Sequence, residues 1–211
     1  MQRRTGVVLG VIAVVLAIVA LMGPWWVVNS QTRLGGGFTA VGQTDYALFG
    51  RTDATQSNLS SSTNTSTYGD LPQTGSVFSL AAVLTVLGLV LGIGTVVIGA
   101  LSGSNPSFRR FAMIAGILAF LVLLVAPLYV LSALPAAVNR DAGASALPYS
   151  GFWGTKSGTF GIFVSYSVTW AAGWAWYVAV VAAIIFLVAS VAIAASRAPA
   201  GMVLRAPPPP P

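Results

Sequence analysis

Four stretches of the chain are apolar at almost every position, and polar residues gather in the segments between them. They run from about Gly6 to Val28, Val77 to Leu101, Phe111 to Leu134 and Tyr166 to Ala195. A hydrocarbon core roughly 30 Å thick takes about 20 helical residues at 1.5 Å each, so each stretch is long enough to cross one. None contains Asp, Glu, Lys, Arg or His. Because they are apolar on every face, length and absence of charge identify them rather than helical period. The pattern predicts a mainly α membrane protein built on a four-helix transmembrane bundle. The first stretch follows Arg3 and Arg4 as a signal peptide would, but the run from Val7 to Met22 exceeds the usual apolar region. No well-formed small-x-small cleavage site surrounds Ala20 to Gly23, so it reads as an uncleaved span.

The intervening segments divide the single membrane domain into outer loops at 29–76 and 135–165, an inner loop at 102–110 and a tail at 196–211. In the first outer loop, β-branched and aromatic residues flank Gly35-Gly36-Gly37, which predicts a hairpin. Asp45 to Gly50 supplies a further short strand. Thr52 to Thr67 is almost wholly Ser, Thr, Asn and Gln and reads as a solvated coil. Within it Asn58-Leu59-Ser60 and Asn64-Thr65-Ser66 fit the glycosylation pattern, making Asn58 and Asn64 candidate acceptors. The second outer loop carries Tyr149 to Gly154 and Phe160 to Val164, read either as one strand joining a small extracellular β-sheet or as an interfacial loop. Arg140-Asp141 reads as a solvated pair. Five prolines, 207–211, form an extended stub, either a plain chain end or a dock for a proline-recognising partner.

Charge gives the threading. Arg3, Arg4, Arg109, Arg110, Arg197 and Arg205 lie on one side with no acidic neighbour. Arg33, Arg51, Arg140 and Lys156 lie on the other with all four carboxylates, Asp45, Asp53, Asp70 and Asp141. The positive-inside rule then places both termini and the 102–110 loop in the cytoplasm of a cell-membrane protein. All six Trp and all six Tyr fall toward the opposite side. Tyr166, Trp170 and Trp174 recur at i, i+4, i+8, one stripe at the start of the fourth helix, read as an interfacial anchor or a packing platform. Small residues four apart, Gly88 with Gly92, Gly6 with Gly10, and Ala175, Ala179 and Ala183, allow close helix approach, within the bundle or between copies. Pro127 should kink the third span, with Ser132 or a neighbouring helix compensating.

Composition narrows the chemistry. Hydrophobic residues make up 56% and charged residues 7%, too few to coat a soluble globule of 211 residues. The chain has no Cys, His or Glu, so disulfides, thiolate nucleophiles and the usual transition-metal shells are absent. No cofactor is expected, and enzymatic activity is not. Spans without ionisable groups argue against proton relays and ion-coupled carriers. The net charge of +6 is spread over helix ends rather than a basic run, which argues against nucleic acid.

Pro24-Trp25-Trp26-Val27-Val28 at the exit of the first span resembles the Pro-x-Trp-x-Val of the claudin and peripheral-myelin-protein-like superfamily, with Trp26 as its Trp and Val28 as its Val. Ala47-Leu48-Phe49 sits near the family's Gly-Leu-Trp, and Ser165 to Tyr177 is similarly rich in Gly, Trp and Tyr. The family's pair of first-loop cysteines is missing, and Phe49 stands in place of the second Trp. The resemblance implies four spans with a small sheet outside, held over the bundle by Trp26 and Phe49. It also implies a non-catalytic interaction or scaffold protein acting through its outer loops and lateral helix packing. Its partners would be the lipid bilayer, further copies of the chain or other membrane proteins. The competing expectation is an accessory subunit of a larger membrane transport, secretion or envelope complex.

Overall fold

The computed structural model describes residues 2–102, 105–143, 149–161 and 163–196, so the proline tail with Arg197 and Arg205 lies outside the described residues. In chain order the elements are α1 (Gln2–Met22), β1 (Pro24–Leu34), β2 (Phe38–Ala47), β3 (Gly50–Ser57), β4 (Ser61–Ser66), α2 (Pro72–Leu101), α3 (Pro106–Ala142), β5 (Gly154–Phe160), β6 (Val164–Ala172) and α4 (Trp174–Ala194). All four helices are long and apolar enough to cross a membrane. The strands form one antiparallel sheet in the order β4-β3-β2-β1-β6-β5.

Small residues set the helix packing. A Cβ on Gly88 would stand 2.5 Å from Leu123 of α3, and one on Gly92 only 2.2 Å from the Phe186 ring of α4. Gly6 meets Ile193 and Gly10 meets Val96 in the same way. Ala175, Ala179 and Ala183 are fully buried, as are Ala13, Ala17 and Ala20 of α1. The small positions are therefore occupied by neighbours within the chain, where dispersion contacts draw helices together in an apolar solvent. Large apolar residues such as Val83, Val90, Leu121 and Ile184 cover the outside.

Helix lengths differ, and the difference is structural. At 1.5 Å per residue α1 and α4 are each roughly 30 Å long, whereas α2 and α3 reach roughly 45 and 55 Å. Gly99 and Gly6 both face Ile193, and Arg109 donates to the Ser196 carbonyl, so the helices end together away from the sheet. The surplus of α2 and α3 stands at the sheet end as a wall. Val77, Phe78, Val130, Leu134 and Val138 of this wall share a buried cluster with Trp26, Tyr46 and Leu48 of the sheet.

The element ends depart from the sequence expectation in consistent ways. The first helix stops at Met22, and Trp25 to Val28 belong to β1, because Pro24 has no N–H to continue a helix. The fourth helix begins at Trp174, and Tyr166 to Ala172 lie in β6. Tyr166, Trp170 and Trp174 therefore form no helical stripe: two are on a strand and the third follows Gly173. The Ser/Thr-rich stretch is not coil but β3 and β4, in register from Arg51↔Ser66 to Gln56↔Ser61. The second loop contributes two strands, and β6 pairs along all of β1 from Trp26↔Ala172 to Leu34↔Val164. The sheet is thus larger than the small one expected, and residues assigned to spans build its centre. Ser132 donates to the Tyr129 carbonyl rather than compensating for Pro127. The neighbouring helix sends the Trp176 indole N–H to the Pro127 carbonyl, at 2.9 Å, which ties α4 to α3 but does not replace the donor that the Leu123 carbonyl loses to Pro127.

Candidate functional site: the sheet and its seat

The sheet joins the bundle through two single-residue links, Gly23 between α1 and β1 and Gly173 between β6 and α4. The adjacent inner strands β1 and β6 are therefore direct continuations of two helices. At the first link the β1–β2 register shifts between Pro24 and Trp26. A bulge of this kind breaks the two-residue alternation of a strand. Here it lets consecutive residues Trp25 and Trp26 both be fully buried. Trp25 Nε1 donates back to the Ala20 carbonyl at 2.8 Å, closing the end of α1. The Trp174 indole covers Gly23, where a Cβ would fall 2.2 Å from the ring.

Trp26 is the centre of the seat. Its ring lies 5.3 Å from Tyr46, 5.1 Å edge-on to Tyr149 and 6.4 Å from Phe152. Its Nε1 donates to the Phe152 carbonyl at 2.8 Å. Trp170 Nε1 donates to the Gly151 carbonyl at 2.8 Å, so two indoles hold one short segment from above. Asn139 holds the same segment from α3, accepting from the Tyr149 N–H at 2.7 Å and donating to its carbonyl at 2.9 Å. Stacked rings extend the contact to Phe78 and Tyr68 on the α2 side, and tilted or edge-on rings extend it to Trp176 and Trp153 on the α4 side. Tilted and edge-on ring pairs add about 0.5–1.5 kcal/mol each beyond the area they bury.

Of the residues singled out from sequence, Trp26, Val28 and Trp170 are buried in this seat, and Pro24 begins the strand that carries them. Gly88 and Gly92 are elsewhere, inside the bundle. Phe49 does not hold the sheet: it is 65% exposed, while its neighbour Leu48 is 2% exposed and joins the core. The tight β2–β3 turn at Ala47–Gly50 turns the first of the pair inward and the second out. Asn58 lies in the β3–β4 turn and donates to the Gly37 carbonyl at 2.9 Å; Asn64 is exposed on edge strand β4. Asp141 is no member of a solvated pair with Arg140. Its carboxylate accepts from Gln73 N at 3.0 Å and Thr74 N at 2.7 Å, capping α2 from the far end of α3.

Sequence reasoning also passed over Tyr68. Its hydroxyl lies 2.9 Å from the Gly50 carbonyl and against that of Ala47, closing the β2–β3 turn. Arg51 pairs with Asp53 at 3.1 Å and Asp70 at 2.8 Å across the same corner. Under the sheet, Tyr46, Arg51, Leu71, Val138, Tyr149 and Trp170 line a cavity of about 260 Å³. Burial raises the hydroxyl ionisation of Tyr46 and Tyr68 well above the ordinary 10.0, and burial also raises that of Tyr149. A raised tyrosine favours folding fully below the unfolded value and loses that contribution as pH climbs above it. The tyrosinate absorbance of Tyr46, Tyr68 and Tyr149, read by single Tyr→Phe differences in an alkaline titration, should therefore appear only as the sheet lets go, above pH 10. Ordinary titration of these three with the sheet still protected would contradict this seat.

The two faces and the tip of the sheet differ. The outward face carries Asn29, Gln31, Gln43, Gln56, Ser157 and Ser165, with Val41 exposed among them between Gln31 and Gln56. The β1–β2 and β5–β6 turns meet at the tip, where the Gly35 N–H donates to the Phe163 carbonyl. Gly36 and Gly37 adopt φ of +107° and +92°, a region that glycine enters freely. Leu34, Phe160 and Phe163 are exposed there, the two Phe at 65% and 67%. Among the described residues no group of three or more His, Cys, Asp or Glu is gathered to hold a metal ion. No protein-family model matches the chain, and no curated protein matches it by sequence.

Proposed function

We propose that this chain is a non-catalytic multi-pass membrane protein of claudin-like architecture that works as an interaction or scaffold protein. Its sheet lies outside the cell membrane and both termini inside, a reading supported by the basic residues at the opposite helix ends. One observation carries the reading: a six-stranded sheet seated on the bundle by buried Trp26 presents three exposed apolar side chains, Leu34, Phe160 and Phe163, at its far tip. A soluble surface does not gain by exposing large rings together, whereas a contact surface does. The seat restricts the sheet, so little ordering is lost when the tip meets a neighbour.

The test is mild crosslinking of native membranes followed by blue-native electrophoresis, for the wild-type chain and for Phe160→Ser with Phe163→Ser. Burying each ring contributes about 1.5–3 kcal/mol, so the double variant should weaken self-association at least about tenfold. A fixed ladder of unlike subunits, unmoved by the substitutions, would instead support the accessory-subunit reading and remove this one.

A further inference from the structure

At the bundle end away from the sheet, Arg109 and Arg110 line a cavity of about 260 Å³ with Met113 and Ala194. Arg109 is half-buried, and one Nη donates to the Ser196 carbonyl at the end of α4. That bond fixes the guanidinium in place. Its Nε is buried and has no hydrogen-bond partner. With Nε enclosed by protein and one Nη on Ser196, the second Nη is the donor edge left for a ligand. Arg110 is exposed beside it.

No aspartate side chain can serve, and the chain has no Glu. Asp45, Asp53 and Asp70 belong to the sheet end, and Asp141 caps α2 there. Asp141 lies on the same helix as Arg109, 32 residues on, which is about 48 Å. The surroundings are apolar and open outward: Leu101, Phe108, Phe111 and Ile114 are all exposed large hydrophobics. The cavity therefore combines one held cation and one exposed cation, close in sequence to side chains that hydrocarbon would wet.

We propose that this cavity binds a phosphate group, held between the second Nη of Arg109 and the Arg110 guanidinium. Planar guanidinium donors match the oxygens of a phosphate, and the pairing strengthens out of water. Two sources share that chemistry: an anionic phospholipid headgroup with its acyl chains along Ile114 and Val191, or phosphate from solution. The proposal is independent of what the sheet contacts and rests only on the helices crossing a bilayer.

The full-length chain, purified in detergent and in nanodiscs, separates them. Native mass spectrometry of phosphatidylcholine nanodiscs doped with phosphatidylglycerol should show one anionic phospholipid retained by the wild type. Arg110→Gln and Arg109→Gln should each lower that retention about tenfold, the loss of one charge-assisted hydrogen bond. Arg33→Gln removes the same charge from the sheet and should leave it unchanged. In lipid-free detergent, protection from heat by inorganic phosphate, absent in both variants, would assign the site to the soluble source. Arg109→Gln also loses the Ser196 bond, so Arg110→Gln decides if that variant does not fold. Equal phosphatidylglycerol retention by wild type and Arg110→Gln, with no protection by inorganic phosphate, overturns the proposal, as does a loss in Arg33→Gln equal to that in Arg110→Gln.

Discussion

Trp26→Ala is expected to free the sheet from the bundle while leaving the four helices packed. The side chain is fully buried, and truncating such a residue costs about 3–5 kcal/mol in lost transfer and an unfilled space. The change also strands the Phe152 carbonyl and removes the ring against which Tyr46, Tyr149 and Phe152 lie. The helix contacts around Gly88, Gly92 and Phe186 are remote from it. Hydrogen exchange should therefore accelerate in β1, β6 and residues 149–154, with far-ultraviolet helix content held. Unchanged protection of the sheet would mean the seat does not depend on this side chain, and the account of the joint would fail.

Gly173→Ala is expected to be nearly as damaging, for a different reason. Gly173 has φ −74° and ψ 162°, which any residue adopts, so torsion is not the obstacle. Space is. A Cβ there would stand 2.2 Å from the Pro24 carbonyl oxygen and 2.6 Å from its carbon. Backbone cannot rotate aside as a side chain can, and the Gly173 N–H donates to the Trp25 carbonyl at 3.0 Å. Overpacking costs about 1–3 kcal/mol where neighbours can relax, and this site belongs at the upper end. Gly94→Ala is the matched control. It has no atom within 4 Å of its Cβ and lies within a helix, so it should be neutral or stabilising by up to about 1 kcal/mol. Equal thermal stability of the two variants would remove the argument from close approach.

The helices were legible in the sequence because a lipid-spanning segment announces itself by length and missing charge, and none of the four needed tertiary information. Their ends were not legible. Residues 24–28 are as apolar or aromatic as the helix they adjoin, and 166–172 carry no charge, so the absence of charge runs through both boundaries. The signal was Gly23-Pro24 on one side and Gly173 on the other, with period-two alternation in Ser165-Tyr166-Ser167-Val168-Thr169-Trp170. Thr52 to Thr67 misled for the opposite reason. Its composition suits coil, but Thr is β-branched and pairs well across strands once β2 offers an edge. Which of Leu48 and Phe49 turns inward depended on the register at Ala47↔Gly50, which no local pattern states. The Asp141 cap was invisible because its partners are 67 residues and more away.

The partnership of β1 with β6 bears on biosynthesis. β1 emerges from the ribosome with the first helix, whereas β6 is among the last segments translated before α4. Until then β1–β4 can assemble only as a meander open at β1 as well as at β4, and the β1 border that β6 later covers is the kind to which foreign strands adhere. The nascent chain must therefore pass through insertion of two further helices with this border open. A chaperone or translocation partner shielding it would act on an immature form that the finished molecule no longer displays.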